Sequence, residues 1–277
     1  MRFFRLFARS FPIVMTAPNP VARDRVLSLC LDLCQNHEVY VRGRGRYEAE
    51  WIRLIAAAMS VAERFVDVGA NVGAYALAVA QAFPEKKVVA VEPLPEIGGK
   101  LVEAIALNGL RNVTVIRGVV ADHEGRVPFH VNPLSDGAGS LQPFTAYRTG
   151  DIEIDAAEYR RRHPTFAATV AVDAVPLDTL LEERTVLKVD VEGAEEAVLR
   201  SGQRGLAKGL VDAMVVEVQT DTFAPVVRFL DELDFDCFLY GRRRPLSPDQ
   251  VGALPYRVGN LLCLRRGSTA HDRVDFV

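Results

Sequence analysis

The amino-acid sequence predicts an α/β protein with a doubly wound, mostly parallel sheet. Three observations carry that expectation. From Arg64 onward, short apolar runs of strand length alternate with longer segments of helical apolar spacing. Two of the runs end in an acid followed by a glycine turn, at Asp67-Val68-Gly69 and at Asp190-Val191-Glu192-Gly193. The length, 277 residues, suits one large α/β domain with a short extension.

In chain order, residues 20–60 read as helices, because Val26–Cys34 and Glu48–Met59 both show helical apolar spacing. The glycine-rich stretch Arg42-Gly43-Arg44-Gly45-Arg46 reads as the exposed turn between them. Strand Phe65–Val68, helix Val72–Phe83, strand Lys87–Val91, a helix containing Leu101–Leu107 and strand Val113–Ile116 follow. This β-α-β-α-β order implies parallel pairing with right-handed crossovers. Residues 126–175 interrupt the alternation. Val127–Val131 and Thr169–Val175 read as strands, and the polar stretch between them carries Pro133, Gly137, Gly139, Pro143 and Pro164. A connection this long is expected to act as a flap or substrate-binding insertion. Alternation resumes with strand Val186–Val189, helix Ala194–Arg200, strand Ala213–Val218 and helix Pro225–Leu233. Strands Phe235–Tyr240 and Asn260–Leu264 close the sheet. The expected organisation is an N-terminal helical extension over 1–60, a main domain over 61–266 and a tail over 267–277.

Composition is that of a globular chain, 49% apolar and 25% charged. A net charge of −3 and a pI near 6.0 give no pull toward nucleic acid. The arginine groups at Arg42, Arg44 and Arg46, at Arg160–Arg162 and at Arg242–Arg244 read as solvated turns or rims. Four cysteines, Cys30, Cys34, Cys237 and Cys263, have no C-x-x-C spacing and are too few for a disulfide framework. Cys30, Cys34 and His37 would share a helical face, but the surrounding leucines favour buried thiols over a metal site. The five histidines are dispersed and read as surface residues. Arg9 and Pro12 break the basic, apolar N-terminus before it reaches the length of a secretory signal. That segment can give weak membrane-surface contact, no stretch is long enough to span a bilayer, and a cytoplasmic location is expected.

The strongest chemical signal is Phe65-Val66-Asp67-Val68-Gly69-Ala70-Asn71-Val72-Gly73. A buried strand ends in an acid, turns through glycine and launches a helix. Ligands of open parallel sheets bind at the carboxyl ends of strands near the switch point. Gly69 permits close backbone approach, Asn71 suits a helix cap, and Asp67 can accept from a ligand ammonium. Glu92, at the end of the next strand, sits where a ribose diol would lie. Together these features fit S-adenosylmethionine. A dinucleotide fits less well, since Asn71 and Ala74 stand where its fingerprint needs glycines and Asp67 would repel a pyrophosphate. The third signal is Lys188-Val189-Asp190-Val191-Glu192-Gly193. Lys188 in a central strand needs a carboxylate partner, with Asp67 and Glu217 as candidates, and so reads as an organiser of the site. Glu195 and Glu196 read as solvated helix residues.

At this point the chain resembles the FkbM-type methyltransferases. The matching blocks are Asp67–Gly73, Val91-Glu92-Pro93, Asn108-Gly109-Leu110, Gly137–Leu141, Val175–Leu181, Leu187–Glu195 and Val216-Glu217-Val218, in order. The resemblance runs from about Tyr47 to about Leu264. It implies a seven-stranded Rossmann-like methyltransferase sheet, S-adenosylmethionine as cofactor and methyl transfer to a hydroxyl oxygen. It further implies that Asp67, Gly69, Asn71, Gly73 and Glu92 bind the cofactor and that Val119 lies beside the adenine. The chain departs from the pattern at Gln219, where many relatives are expected to carry histidine.

The expected acceptor is a hydroxyl of a small molecule, sugar or glycolipid-like compound. A carboxylate must remove its proton, with Asp190 first choice, Glu192 second and Lys188 organising. Asp190, Glu192 and Glu217 offer an alternative as divalent-cation ligands, although no complete ligand set is visible. The competing functions are a dinucleotide-dependent oxidoreductase and a non-catalytic S-adenosylmethionine-binding protein.

Overall fold

The apolar runs become strands of a sheet, and the helical segments between them cover its two faces. The computed structural model describes residues 12–32, 48–133, 139–149, 152–164, 169–249, 251 and 258–274. The chain opens with a hairpin of β1 (Pro12–Pro18) and β2 (Val26–Asp32), followed by helix α1 (Ala49–Ala58). Then come β3 (Arg64–Val68), α2 (Ala74–Ala82), β4 (Lys87–Val91), α3 (Pro95–Leu107) and β5 (Val113–Ile116). A second group holds β6 (Gly118–Val120), β7 (Gly125–Val131), β8 (Gly139–Ser140), β9 (Ala146–Thr149), β10 (Ile152–Asp155), α4 (Ala156–Arg162) and β11 (Thr169–Val175). The last group is β12 (Thr185–Val189), α5 (Glu195–Ser201), α6 (Gln203–Ala207), β13 (Val211–Gln219), α7 (Thr220–Glu232), β14 (Phe235–Leu239), β15 (Val258–Arg265) and α8 (Ala270–Arg273).

The main sheet has the order β14-β15-β13-β12-β3-β4-β5. All its pairings are parallel except those of β15, which runs antiparallel to both β13 and β14. Strand order reverses between β3 and β12, which makes that boundary the switch point. Each strand sends alternate residues to opposite faces. Phe65, Val186, Val215 and Leu262 pack with Trp51, Ile55, Tyr75 and Leu77 on one face. Val66, Leu187, Val216 and Leu261 pack with Leu199, Val226, Val227 and Leu230 on the other. Both faces are therefore covered, which explains why the central strands read as continuous apolar runs.

The expected helix at Val26–Cys34 is not formed. Val26–Asp32 is strand β2, paired antiparallel with β1, and among the described residues before Arg64 only Ala49–Ala58 is α-helical. Leu27, Leu29 and Leu31 alternate inward as a strand requires, while Leu27 and Leu31 alone also satisfy helical spacing. Pairing with β1 decides between the two. The hairpin is anchored at Asn19, whose buried amide donates to the Ala78 carbonyl and to Gln81, at 3.0 Å each. Cys34, His37 and the 42–46 arginines lie outside the described residues, as does the segment before Pro12. Cys30, Cys237 and Cys263 are free, buried thiols.

Residues 126–175 carry more regular structure than expected. β6, β11, β7 and β8 form a separate four-stranded sheet around Val119, Ala121, Val127, Phe129, Val172 and Ala174. β9 and β10 form a hairpin leading into α4, and Tyr147 of β9 is buried. Arg160 donates to the Tyr147 hydroxyl at 3.2 Å and Arg162 pairs with Glu158, so this arginine group serves local structure. Among the described residues no helix is long and apolar enough to cross a membrane.

Candidate active site

The turn after β3 is built from residues that tolerate left-handed backbone. Gly69, Asn71 and Gly73 have φ of 80°, 50° and 89°. The Gly69 and Ala70 amides donate to the Val91 carbonyl at 3.0 and 2.9 Å, which ties the turn to the end of β4. The sequence suggested that Gly69 lets a ligand approach. A Cβ there would lie 1.8 Å from the Asp190 carbonyl oxygen, so the glycine also admits the neighbouring loop of the chain itself. Asn71 was expected to cap the helix. The residue at the cap position is Gly73, and the Asp67 carboxylate accepts from the Ala76 amide at 3.1 Å in the first helical turn.

Glu92 lies directly behind this turn, where its carboxylate accepts from the Asn71 amide at 3.0 Å and the Leu94 amide at 2.9 Å. Burial pushes its carboxyl up to about 7, against the pull of those two amides. Asp67 is wholly buried, so it does not present itself to a ligand ammonium; its remaining oxygen, Oδ1, makes no hydrogen bond and faces Lys188 Nζ at 3.7 Å.

Lys188 stands at the switch point. Its ammonium contacts Asp190 at 3.0 Å and Asp67 at 3.7 Å and lies 4.8 Å from the centre of the Tyr75 ring. Burial alone would favour loss of its proton, but Asp190 and Asp67 outweigh that effect and hold the ammonium charged. The expected organising role fits this geometry, with Asp190 as the nearer partner. Glu217 on β13 is driven well above the usual carboxylate range by Asp190, by burial and by a hydrogen bond to Asp190. Glu217 therefore keeps its proton at neutral pH and can donate it in a hydrogen bond to Asp190.

Glu192 differs from its neighbours. It adopts φ of 52° and borders solvent, and its carboxylate accepts from the Gln219 amide at 2.9 Å. Partial loss of hydration around its carboxylate, then Asp190 and Glu195, push it up to about 7, while the side chain keeps an exposed face. Glu195 is buried rather than solvated, because its carboxylate turns back to accept from the Gly193 amide at 2.8 Å. Glu196 pairs with Arg200 on the helix surface. Val119 lies in the core of the small sheet, just past the end of β5.

Three residues that sequence reasoning missed complete the rim. Glu48, at the start of α1 with φ of 52°, accepts from the Tyr75 hydroxyl and from Asn260 Nδ2, each at 2.8 Å. Asn260 is the cross-strand partner of Glu217, so the two share a sheet face. Positions 48, 75 and 260 share no sequence pattern; a polar residue entering the apolar start of β15 was the one signal available.

This edge gathers five carboxyls, Asp67, Glu92, Asp190, Glu192 and Glu217, around the Lys188 ammonium. Such a surplus of acid suits a ligand bearing positive charge and repels a pyrophosphate. S-adenosylmethionine, with its sulfonium and ammonium, meets that requirement. Among the described residues no group of three His, Cys, Asp or Glu side chains is arranged to hold a metal ion.

Comparison with known proteins agrees. The model of the methyltransferase FkbM domain matches residues 67–237. The methyltransferase sdnD of Sordaria araneosa is 30% identical over 211 residues, covering 69% of this chain and 80% of that protein. Among solved structures, the precorrin-6y C5,15-methyltransferase of Geobacter metallireducens aligns with a TM-score of 0.43 at 12% identity, covering 78% of this chain and 87% of the other. TYW2 of M. jannaschii, in complex with AdoMet, aligns with a TM-score of 0.41 at 13% identity, covering 93% and 86%. Fold, acid-rich edge and sequence relatives together define an S-adenosylmethionine-dependent methyltransferase. Within that class, the chain belongs to the FkbM methyltransferase family.

Proposed function

We propose that the chain methylates a hydroxyl oxygen of a small-molecule or glycan acceptor, with Glu192 taking the proton. The observation that carries this reading is the contrast between two carboxylates. Asp190 is held by the Lys188 ammonium and receives a hydrogen bond from the protonated Glu217, so its role is to fix the site. Glu192 borders solvent, lies in no ion pair with Lys188, and has a proton affinity near neutral, where a general base works best. This reverses the order expected from sequence.

Bound S-adenosylmethionine supplies an activated methyl that leaves a sulfonium in line with the incoming oxygen. The turn Gly69–Gly73 and the first amides of α2 would bear its polar end, with Asp67 acting from beneath through Lys188 and Ala76. Glu92, already oriented by two amides, would accept from the ribose hydroxyls. Val119, past the end of β5, would border the adenine. The 126–175 insertion, rooted beside β5 through β6, would cover the acceptor. Free thiols at Cys30, Cys237 and Cys263 suit the cytoplasm, where we place the reaction.

The test begins with metabolite extracts incubated with methyl-labelled cofactor and read by mass spectrometry. Label on a hydroxyl oxygen is expected, and label on nitrogen or carbon would overturn the reading. On the acceptor so found, Glu192→Gln should cut turnover by roughly a hundredfold with cofactor affinity intact. Full turnover in that variant would remove Glu192 as the base.

A further inference from the structure

We propose that Gln219 is a positioning residue, which holds the Glu192 carboxylate at the cleft through an amide hydrogen bond from the end of β13 to the loop that leaves β12. The inference rests on Glu192 being the base and adds the residue that makes it usable.

Glu192 needs such a holder. It sits at a left-handed backbone position, φ 52°, and Gly193 beside it has φ of 98°. A side chain on this two-residue kink has no strand or helix of its own to fix its direction. The fixing comes from across the site. Gln219 Nε2 donates to Glu192 Oε2 at 2.9 Å, and Gln219 Oε1 would lie 3.7 Å from a Cβ on Gly193, so the amide spreads over the kink. Gln219 is itself immobilised. It ends β13 and begins α7, and its backbone amide donates to the Thr222 hydroxyl at 3.0 Å.

The surroundings give that single donor its importance. The charged and titratable groups around Glu192 are Asp190 and Lys188 from β12 and its loop, Glu195 from α5 and Glu217 from β13. Three of the four are acids, and Lys188 is engaged by Asp190 and Asp67. The Gln219 amide is the side-chain hydrogen bond that favours the ionised form of Glu192. Being a carboxamide, it offers this bond at every pH, whereas a titrating donor would add its own transition to that of the base.

The expected result is read without an acceptor. In protein carrying 13C-labelled glutamate, the Glu192 carboxyl resonance, assigned by its loss in Glu192→Gln, is followed between about pH 5 and pH 9. Gln219→Leu should move its midpoint upward by roughly one unit, leaving about fivefold less ionised carboxylate at neutral pH. Gln219→Glu keeps the shape, adds a facing carboxyl and should move it further up; it also serves if the leucine variant fails to fold. Affinity for S-adenosylhomocysteine, by calorimetry, should not change in either variant. With the acceptor found by the labelling experiment, turnover at neutral pH should fall in step with the midpoint and recover in more alkaline buffer. An unmoved Glu192 midpoint in both variants, or a loss of turnover equal at all pH values, would overturn the positioning role. Full turnover in Glu192→Gln would instead remove the base itself, so the two failures are distinguishable.

Discussion

The loops after β3 and after β12 begin from the same device, a strand that ends in an acid and turns through left-handed residues, yet they finish with opposite chemistry. Around the turn after β3 the acids are buried against the chain. Asp67 holds the helix start and Lys188, and Glu92 accepts from two amides at the back of the turn. After β12, Asp190 is committed but Glu192 borders solvent with one amide to steady it. In the turn after β3 the carboxylates face the chain itself and brace the backbone around them. In the proposed reading, the turn that leaves one carboxylate at solvent is the one that supplies the base.

Four changes break or sharpen the contrast. Gly69→Val attacks the point where the loops touch. Its Cβ would meet the Asp190 carbonyl at a backbone angle valine resists, so stability should drop by about 3 kcal/mol or more, visible as a collapsed melting temperature. A variant melting like the wild type would show that the loops do not depend on each other. Asp190→Asn weakens the ion pair that steadies the reactive side. Because Asp190 is partly open to solvent, a loss of about 1–2 kcal/mol in melts is expected, with turnover falling alongside. A catalytic loss with unaltered melting would restore Asp190 as the candidate base.

Glu92→Ala should weaken cofactor binding by about 1–3 kcal/mol in a titration. It should also lower stability, since two backbone amides lose their acceptor. Unchanged affinity would take Glu92 out of the cofactor site. The smallest effect is a slope with pH. The folded chain holds the Glu92 and Glu192 protons up to about 7, above the 4.5 of a free carboxyl, so it binds more protons than the unfolded chain in between. Their contribution to stability is therefore complete below 4.5 and is lost as pH rises through 7. Cofactor affinity should move the other way, rising by at most about tenfold per unit, because the ionised Glu92 is the better acceptor. Parallel trends in melting and affinity would contradict the placement of these acids.

Much of this frame was legible before any coordinates. The alternating runs fixed β3, β4, β5, β12 and β13, and the pairing of Lys188 with Asp67 follows from the cost of a lone ammonium in a central strand. What escaped depends on partners far along the chain. Leu27 and Leu31 obey strand and helix periodicity alike, and pairing with β1 resolved them. Glu195 looks like any first-turn acid until its carboxylate is seen folding back on Gly193. The engagement of Asp190 by Lys188 and Glu217, on which the proposed preference for Glu192 rests, is a matter of distance rather than spacing.

The placement of β15 bears on how the molecule is made. Among the described residues β14 pairs only with β15, which must slide between it and β13. While the chain is being synthesised, β13 and β14 therefore wait with open ladders until residues beyond Val258 leave the ribosome, and such edges invite pairing with other chains. The same late strand delivers Asn260 to Glu48, 212 residues upstream. Assembly of the rim is thus tied to arrival of the last strand, and a product truncated before it would leave β14 unpaired and the rim incomplete.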